Sequence, residues 1–265
     1  MVVFAGQGDP RRSMALLWRA SGSREARTAP GPKPGLSVDL IVDAAITVAD
    51  ADGMAGLSMR AVGERLGRTA MALYTYVPNK SELIDLMYDR ALAELPTDYD
   101  LTPGWRTAVS CWAEDLWAFY LWHPWVLQVS QARPVLGPNE FLVLETVTRI
   151  LAETGLEATT LRRIVGTLFQ VVRGSALIVV EARQAATATG VSDEDWWFPR
   201  SALLEEIAPD FAERFPTVSR LESDAPSEPE DETTPYLEHQ ARQTFEVGLT
   251  VLLDGIEATM ARAGV

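Results

Sequence analysis

Between residues 69 and 80 the chain carries a run of small, methyl-bearing and hydroxyl side chains. Methyl groups such as those of Ala70 and Met71 can meet the methyl group of thymine in the major groove of DNA. The hydroxyls of Tyr74, Thr75 and Tyr76 can reach phosphates or base edges. The stretch therefore predicts a surface that contacts DNA.

Two short helices joined by a tight turn must position these side chains, within residues 58–80. One face of the first helix is apolar, at Met59, Val62 and Leu66. Gly67 favours the turn because glycine adopts positive φ readily. The second helix begins at about Thr69 and ends before Pro78. Two short helices at a sharp angle form a helix-turn-helix, whose second helix enters the major groove.

The candidate DNA contacts lie on both helices and on the start of the next one. Arg60 and Lys80 are placed to touch phosphates. The candidates are Arg60, Arg68, Thr69, Ala70, Met71, Tyr74, Thr75, Tyr76 and Lys80. The spacing alone leaves an alternative open, in which the two helices are ordinary packing elements of an all-α core.

Residues 36–95 resemble the DNA-binding domain of the tetracycline-repressor (TetR) family of bacterial transcription regulators. The resemblance rests on Gly56-Leu57-Ser58, Arg60, Arg65-Leu66-Gly67, Leu73-Tyr74-Thr75-Tyr76-Val77, Asn79-Lys80 and Leu83. It implies a third helix as the recognition helix, Tyr74 as a main DNA contact and Lys80 as a phosphate anchor. It also implies a fourth helix that connects the DNA-binding domain to a sensor. Arg68 stands where valine is more usual in the family, which adds a candidate phosphate contact.

The net charge of −14 is unevenly distributed along the 265 residues. Residues 1–35 carry +4, residues 36–95 carry −4, and residues 96–265 carry −14. An acidic body would repel DNA everywhere except at the recognition helices, which would limit non-specific binding. We read no signal peptide and no run of 18 apolar residues, so we expect a cytoplasmic protein without a membrane span. The one cysteine, Cys111, suits a reducing compartment and is predicted to be buried among apolar neighbours.

Residues 1–35 place arginine and lysine among glycine, serine and proline. This composition predicts a flexible tail. The alternative is a basic arm laid on the DNA backbone or in the minor groove. Residues 13–20 are predicted to form one short helical turn at most.

The rest of the chain shows helical spacing and no strand alternation. A helix capped by Ser37 is predicted to about residue 52, and Thr102-Pro103 is predicted to start another. The other predicted helices cover about 79–95, 102–123, a short stretch from Pro124, 139–154, 160–186, 193–207 and 236–263. Residues 217–235 are acidic and proline-containing, which predicts a mobile loop. The predicted fold is all-α, with a three-helix DNA-binding domain (36–95) and a helical C-terminal domain (96–265).

The C-terminal part is similar to the all-α C-terminal domain of tetracycline-repressor-like regulators. The similarity is carried by His123-Pro124-Trp125, Arg133-Pro134, Gly137-Pro138-Asn139, residues 245–249 and Asp254-Gly255-Ile256. It implies a homodimer held by a four-helix bundle, with the helix near 160–186 and the last helix as candidates. Two DNA-binding domains must reach successive major grooves about 34–36 Å apart, so a near-palindromic double-stranded operator is expected.

The resemblance also implies a sensor pocket for a hydrophobic small molecule. Such pockets are mostly apolar with a few polar groups. The candidate lining residues are Trp105, Trp112, Phe119, Trp122, Trp125, Phe169, Val172, Arg173 and Trp197. The alternative for each tryptophan is an ordinary core position.

Metal and enzyme chemistry find little support in the sequence. True tetracycline repressors carry a magnesium-binding histidine just before the Arg-Pro pair, whereas residues 129–132 here are Val, Ser, Gln and Ala. No P-loop, nucleotide-binding glycine motif, zinc-protease motif or nucleophile elbow occurs. We therefore expect no metal, no cofactor and no enzymatic activity. The sequence favours a ligand-responsive repressor. The alternatives are an activator, a ligand-independent regulator, and a helical enzyme or scaffold with a residual helix-turn-helix.

Overall fold

The computed structural model describes residues 3–19, 35–223 and 235–264. Within these ranges the only extended pairing is one parallel bridge between Val3 and Val129. The helices are α1 (Pro10–Trp18), α2 (Val38–Gly56), α3 (Met59–Leu66), α4 (Ala70–Tyr74), α5 (Lys80–Leu92), α6 (Trp105–Trp122), a 3₁₀ helix (Pro124–Gln128), α7 (Pro138–Ala152), α8 (Ala158–Thr189), α9 (Asp193–Ile207), α10 (Phe211–Arg214), α11 (Pro216–Ser223) and α12 (Tyr236–Ala263). The predicted all-α fold is confirmed.

Local capping chemistry accounts for where the first helices begin and end. The Ser37 side chain accepts the N–H of Leu40 at 3.2 Å and starts α2. Gly53, at φ 66° and ψ −177°, interrupts α2 near its predicted end. The Asn79 side chain accepts the N–H of Glu82 at 2.9 Å and starts α5.

Two predicted boundaries are wrong. The α6 helix begins at Trp105, because residues 101–104 form a turn. In that turn Asp100 Oδ1 accepts the N–H of Thr102 at 2.8 Å, which competes with helix formation. Residues 217–223, predicted as the start of a loop, are helical and belong to α11, which begins at Pro216. The remainder of that predicted loop, 224–234, lies outside the described residues.

The prediction that Cys111 is buried is also wrong, because the residue is exposed on α6. Its neighbour Trp112 is 2% exposed. Successive residues of a helix point about 100° apart, so apolar neighbours in sequence do not decide burial.

Residues 3–19 are folded and do not form the flexible tail predicted for residues 1–35. Pro10 opens α1, and the side chain of Asp9 caps it by accepting the N–H of Arg12 at 2.9 Å. Leu17 is 5% exposed, and α1 packs against α5. Composition does not reveal this order, because Gly6 and Ser13 contact residues that are 79 and 69 positions away in sequence. Residues 20–34 lie outside the described residues.

The chain divides into two compact units, one of residues 1–173 with 252–265 and one of residues 174–251. In the first unit α2 packs on α3, on α5 and on the 3₁₀ helix, while α7 packs on α5 and α6. Its core includes the fully buried Ile41, Val62, Leu83 and Val109. The division falls within α8 and within α12.

Helix α8 is the one described helix that is long and apolar enough to cross a membrane by length and composition. Polar and charged side chains are spaced along this helix, so it contains no uninterrupted run of 18 apolar residues. Only 33% of the apolar window is buried. In the second unit Ile178 of α8 and Val247 and Val251 of α12 are each more than half exposed. Apolar surface of this kind also marks a protein interface.

Candidate nucleic-acid interface and ligand cleft

Glycines allow α3 and α4 to meet at a tight turn. Gly67 adopts a left-handed conformation (φ 63°, ψ 37°) and donates its N–H to Glu64 O at 3.1 Å. Arg68 donates its N–H to Gly63 O at 2.8 Å. A Cβ on Gly63 would lie 2.7 Å from Arg68 O, so only glycine permits this approach. The turn therefore fixes the direction of α4.

Helix α4 is anchored on one side and open on the other. Leu73 and Val77 are fully buried, and the Thr69 side chain caps the helix by accepting the N–H of Ala72 at 3.3 Å. The outer side exposes 74% of Met71 and 41% of Tyr74. The other predicted contacts on this side are the exposed Arg68, Thr69, Thr75 and Tyr76 and the half-buried Ala70. The structure thus brings the predicted surface together on a rigid support.

Two of the three predicted phosphate contacts, Arg60 and Lys80, already have protein partners. Arg60 Nε forms an ion pair with Glu64 Oε1 at 2.7 Å, and both side chains are largely exposed. Lys80 Nζ donates to Leu57 O at 2.6 Å, which joins the start of α5 to the end of α2. Arg60 can exchange an exposed partner for a phosphate at little cost, since surface ion pairs contribute little. Lys80 would have to release a carbonyl.

A buried histidine joins α2, α5 and the 3₁₀ helix. His123 is 2% exposed. Its Nδ1 lies 2.7 Å from Asp50 Oδ1, and its Nε2 lies 3.1 Å from Glu94 Oε2. Trp125 Nε1 donates to the same Asp50 oxygen at 2.8 Å. These contacts fix the end of α2 relative to the end of α5.

Helix α5 also holds the start of α7 through Asp89. Its Oδ1 accepts the N–H groups of Asn139 at 2.9 Å and Glu140 at 3.0 Å, and its Oδ2 accepts Asn139 Nδ2 at 2.9 Å. A Cβ on Gly137 would lie 2.0 Å from Asp89 Oδ1, so glycine is required beside it. Burial raises the pKa of Asp89, and these hydrogen bonds oppose that rise.

A cleft of about 430 Å³ opens between α5, α6, α7, α8 and the segment before α7. Its volume falls within the range of small-molecule sites, roughly 300–1,000 Å³. It is lined by Tyr88, Leu92, Leu116, Tyr120, Gln131, Pro134, Leu136, Glu140, Phe141, Val143, Leu144, Gly166, Phe169 and Gln170. All of these residues belong to the first compact unit.

Among the predicted ligand residues, Phe169 alone lines this cleft. Trp112, Phe119, Trp125 and Val172 are buried core residues, and the Trp112 ring meets Phe169 edge-on at 5.1 Å. Trp122 is 73% exposed, and Trp105 is half-buried away from the cleft. Trp112, Phe119 and Trp125, three of the seven predicted aromatics, are therefore core residues. Helical spacing identifies the inner face of a helix but not what packs against it.

Arg173 does not line the cleft, and its side chain holds neighbouring elements together. Its guanidinium donates to Val129 O at 3.0 Å and also to Leu127 O. It lies over the Tyr120 ring, 5.9 Å from the ring centre. The side chain thus ties α8 to the end of the 3₁₀ helix.

The polar groups of the cleft are hydroxyls, amides and one carboxyl. Burial raises the pKa of Tyr88, so its hydroxyl stays protonated. Burial also raises the pKa of Glu140, whose Oε2 accepts the N–H of Leu136 at 2.7 Å. The sequence pattern missed Tyr88, Tyr120 and Glu140 because they lie on three different elements that only the fold brings together.

The second compact unit has a larger cavity of about 940 Å³, and Trp197 lies on its wall. Arg183 and Glu238 form an ion pair there, with Nε to Oε2 at 3.0 Å. In the described ranges no group of three or more histidine, cysteine, aspartate or glutamate side chains could hold a metal ion.

Two family models match the chain. The model for "Bacterial regulatory proteins, tetR family" matches residues 41–87. The model for "Tetracyclin repressor-like, C-terminal domain" matches residues 100–260.

One relative and two crystal structures are similar to this chain over most of its length. The HTH-type transcriptional repressor DrrR1 of Streptomyces coeruleorubidus is 37% identical over 259 residues, which cover 97% of this chain and 89% of the relative. Apo ActR of Streptomyces coelicolor has a TM-score of 0.65 and 25% identity, covering 86% of this chain and 99% of ActR. The ActR complex with actinorhodin has a TM-score of 0.65 and 23% identity, covering 84% and 96%.

Proposed function

The chain belongs to the TetR family of DNA-binding transcription regulators, which are not enzymes, and from that membership we propose that it is a cytoplasmic repressor. It binds a near-palindromic operator as a homodimer. A hydrophobic small molecule in the cleft between α5 and α8 releases it. The observation that carries the proposal is the joint position of α5, which begins beside the helix-turn-helix and lines the cleft.

DNA recognition is assigned to the exposed side of α4. Tyr74 has an exposed aromatic ring and hydroxyl at the centre of a surface whose opposite side is buried. Met71, Thr75 and Tyr76 flank it with apolar and hydroxyl groups suited to base edges. Arg60 and Arg68 supply the phosphate contacts at the edge.

A mobility-shift titration with DNA flanking the gene tests this assignment. Wild-type protein is expected to retard a specific duplex. Tyr74→Ala should weaken binding about 5- to 150-fold, which corresponds to the 1–3 kcal/mol typical of a base contact. Trp122→Ala serves as the control, since that ring is 73% exposed on α6. Equal affinity of Tyr74→Ala and wild type would contradict the assignment.

The homodimer is supported by apolar side chains left exposed on α8 and α12. Ile178, Val247 and Val251 have 51%, 64% and 65% exposure within one chain. Burial of such side chains against a second copy would remove apolar area from water. Light scattering should give twice the subunit mass of 29.1 kDa. Val247→Glu combined with Val251→Glu should give the subunit mass.

Ligand release is supported by the size and lining of the cleft. ActR, which shares the fold, is known in complex with actinorhodin, so that compound starts the panel of hydrophobic test compounds. Gly166 offers a way to fill the cleft, because a Cβ there meets nothing within 4 Å. Gly166→Leu should keep operator affinity within about twofold and raise the concentration of the active compound for release at least about tenfold. Unchanged release by Gly166→Leu would argue against this cleft.

A further inference from the structure

The N-terminal segment of residues 3–19, here called the strap, contacts the DNA-binding domain, α5 and the cleft wall. At the DNA-binding domain, Arg19 forms an ion pair with Asp39 of α2 at 3.0 Å. At α5, the N–H of Gly6 donates to both carboxylate oxygens of Asp85, at 3.1 and 3.2 Å. These are the parts that a ligand response must connect.

At the cleft wall the strap acts through Trp18. Its Nε1 donates to Leu136 O at 3.0 Å, and its ring lies 6.2 Å from that of Phe141. Leu136 and Phe141 both line the cleft. Trp18 therefore stands directly behind two residues that a bound ligand would touch.

Leu136 needs such support because of its backbone. Its φ of 62° is the only positive value for a non-glycine residue in the described ranges. A leucine disfavours this region, so neighbouring contacts must maintain it. Glu140 accepts its N–H at 2.7 Å, and Trp18 donates to its carbonyl. Loss of the indole donor removes one of these two supports.

The strap is packed firmly enough to transmit a displacement. Ala5, Ser13 and Leu17 are 1%, 8% and 5% exposed. Beneath it, Asp85 and Glu82 of α5 are each 2% exposed, and Ser13 Oγ lies 3.4 Å from Glu82 Oε1. These contacts join α1, the helix that carries Trp18, to α5.

We propose that the strap couples the cleft wall to α5 and α2, with Trp18 as the positioning residue. The proposal rests on the proposed function of the cleft as the effector site. A ligand that displaces Leu136 or Phe141 moves Trp18, and the strap carries that change to Asp85 and Asp39. The coupling is reciprocal, so binding of DNA must also change the cleft wall.

Hydrogen exchange of the peptide containing residues 134–141 measures this reciprocal effect without a known ligand. The DNA probe is a duplex selected from a random pool by the wild-type protein. Saturating duplex should change wild-type exchange in this peptide about fivefold or more, the lower end of typical coupling. In Trp18→Ala the change should fall below about twofold while the operator Kd stays within about twofold.

Two further variants separate coupling from folding. Trp18→Phe keeps the ring and removes the donor, so it should lose part of the coupling even if Trp18→Ala does not fold. Arg11→Ala, exposed on the same helix, should behave as wild type. Full retention of the DNA effect in Trp18→Ala and Trp18→Phe would overturn the proposal, as would no effect in wild type. Failure to select any duplex would instead remove the proposed function, and this proposal with it.

Discussion

Replacement of Asp85 by asparagine is expected to stabilise the protein at neutral pH. Asp85 is 2% exposed beneath the strap, and burial raises its pKa to about 6 although the N–H of Gly6 opposes that rise. The titratable groups that interact with it are also acidic: Glu82 on α5 and Glu140 on α7. Ionisation of this carboxyl at neutral pH therefore costs folding free energy.

The size and sign of the effect follow from linkage. A rise from the ordinary value of 3.8 to about 6 corresponds to about 3 kcal/mol, and solvent screening reduces this to roughly 2 kcal/mol. Between about pH 4 and pH 6 the folded state binds more protons than the unfolded state. Stability of the wild type therefore falls as pH rises through this window, and the loss is complete above pH 6. Asparagine has no charge and still offers an oxygen to Gly6.

Urea unfolding at pH 7.5, 6.5 and 5.2 measures this difference, with the lowest value kept above the pI of about 4.6. Asp85→Asn should exceed wild type by roughly 2 kcal/mol at pH 7.5, and the gap should shrink by roughly a third at pH 5.2. Asp98→Asn is the control, since that side chain is 96% exposed. A variant less stable than wild type at pH 7.5, or a gap independent of pH, would refute the reasoning.

Three further substitutions and one control test the supports of α7 and α4 by thermal unfolding and mobility shift. Gly137→Ala should cost about 1–3 kcal/mol because its Cβ would displace Asp89, whereas Gly166→Ala, with open space around it, should be neutral or stabilising; equal effects would contradict the close approach. Thr69→Ala should cost about 1 kcal/mol by removing the cap of α4, and no loss would show that the cap contributes nothing. Leu73→Ala should cost about 2–5 kcal/mol and weaken operator binding, since this fully buried side chain anchors α4; a stable variant with normal binding would exclude that role.

The helix-turn-helix was predictable because local chemistry specifies it. Ser58, Gly67 and Thr69 cap or end their helices through atoms within four residues along the chain. The apolar positions Val62 and Leu73 are fully buried as their spacing indicates. The helix ends and buried positions in this stretch depend on residues close in sequence, so the sequence pattern is enough to predict them.

The strap and the cleft depend on distant neighbours. Trp18 meets Leu136 across 118 positions of sequence, and Gly6 meets Asp85 across 79. The composition of residues 1–35 could not reveal these partners. The aromatic side chains of α6 are of the kind that lines ligand pockets, but Trp112 is buried in the core and Trp122 is exposed to solvent. Helical spacing shows on which side of its helix a residue lies. It does not show whether a cavity or another helix lies opposite that side.

The three hydrogen bonds that Asp89 accepts have a consequence for how α5 can move. They converge on one carboxylate at 2.9–3.0 Å, so a displacement of α5 by about an ångström weakens all of them together. Gly137 packs directly against the Asp89 carboxylate, because a Cβ at this position would overlap the same oxygen. Intermediate positions of α5 therefore lose these hydrogen bonds together. The helix should switch between discrete positions, and a regulator built on it should respond to its ligand in an all-or-none manner in each subunit.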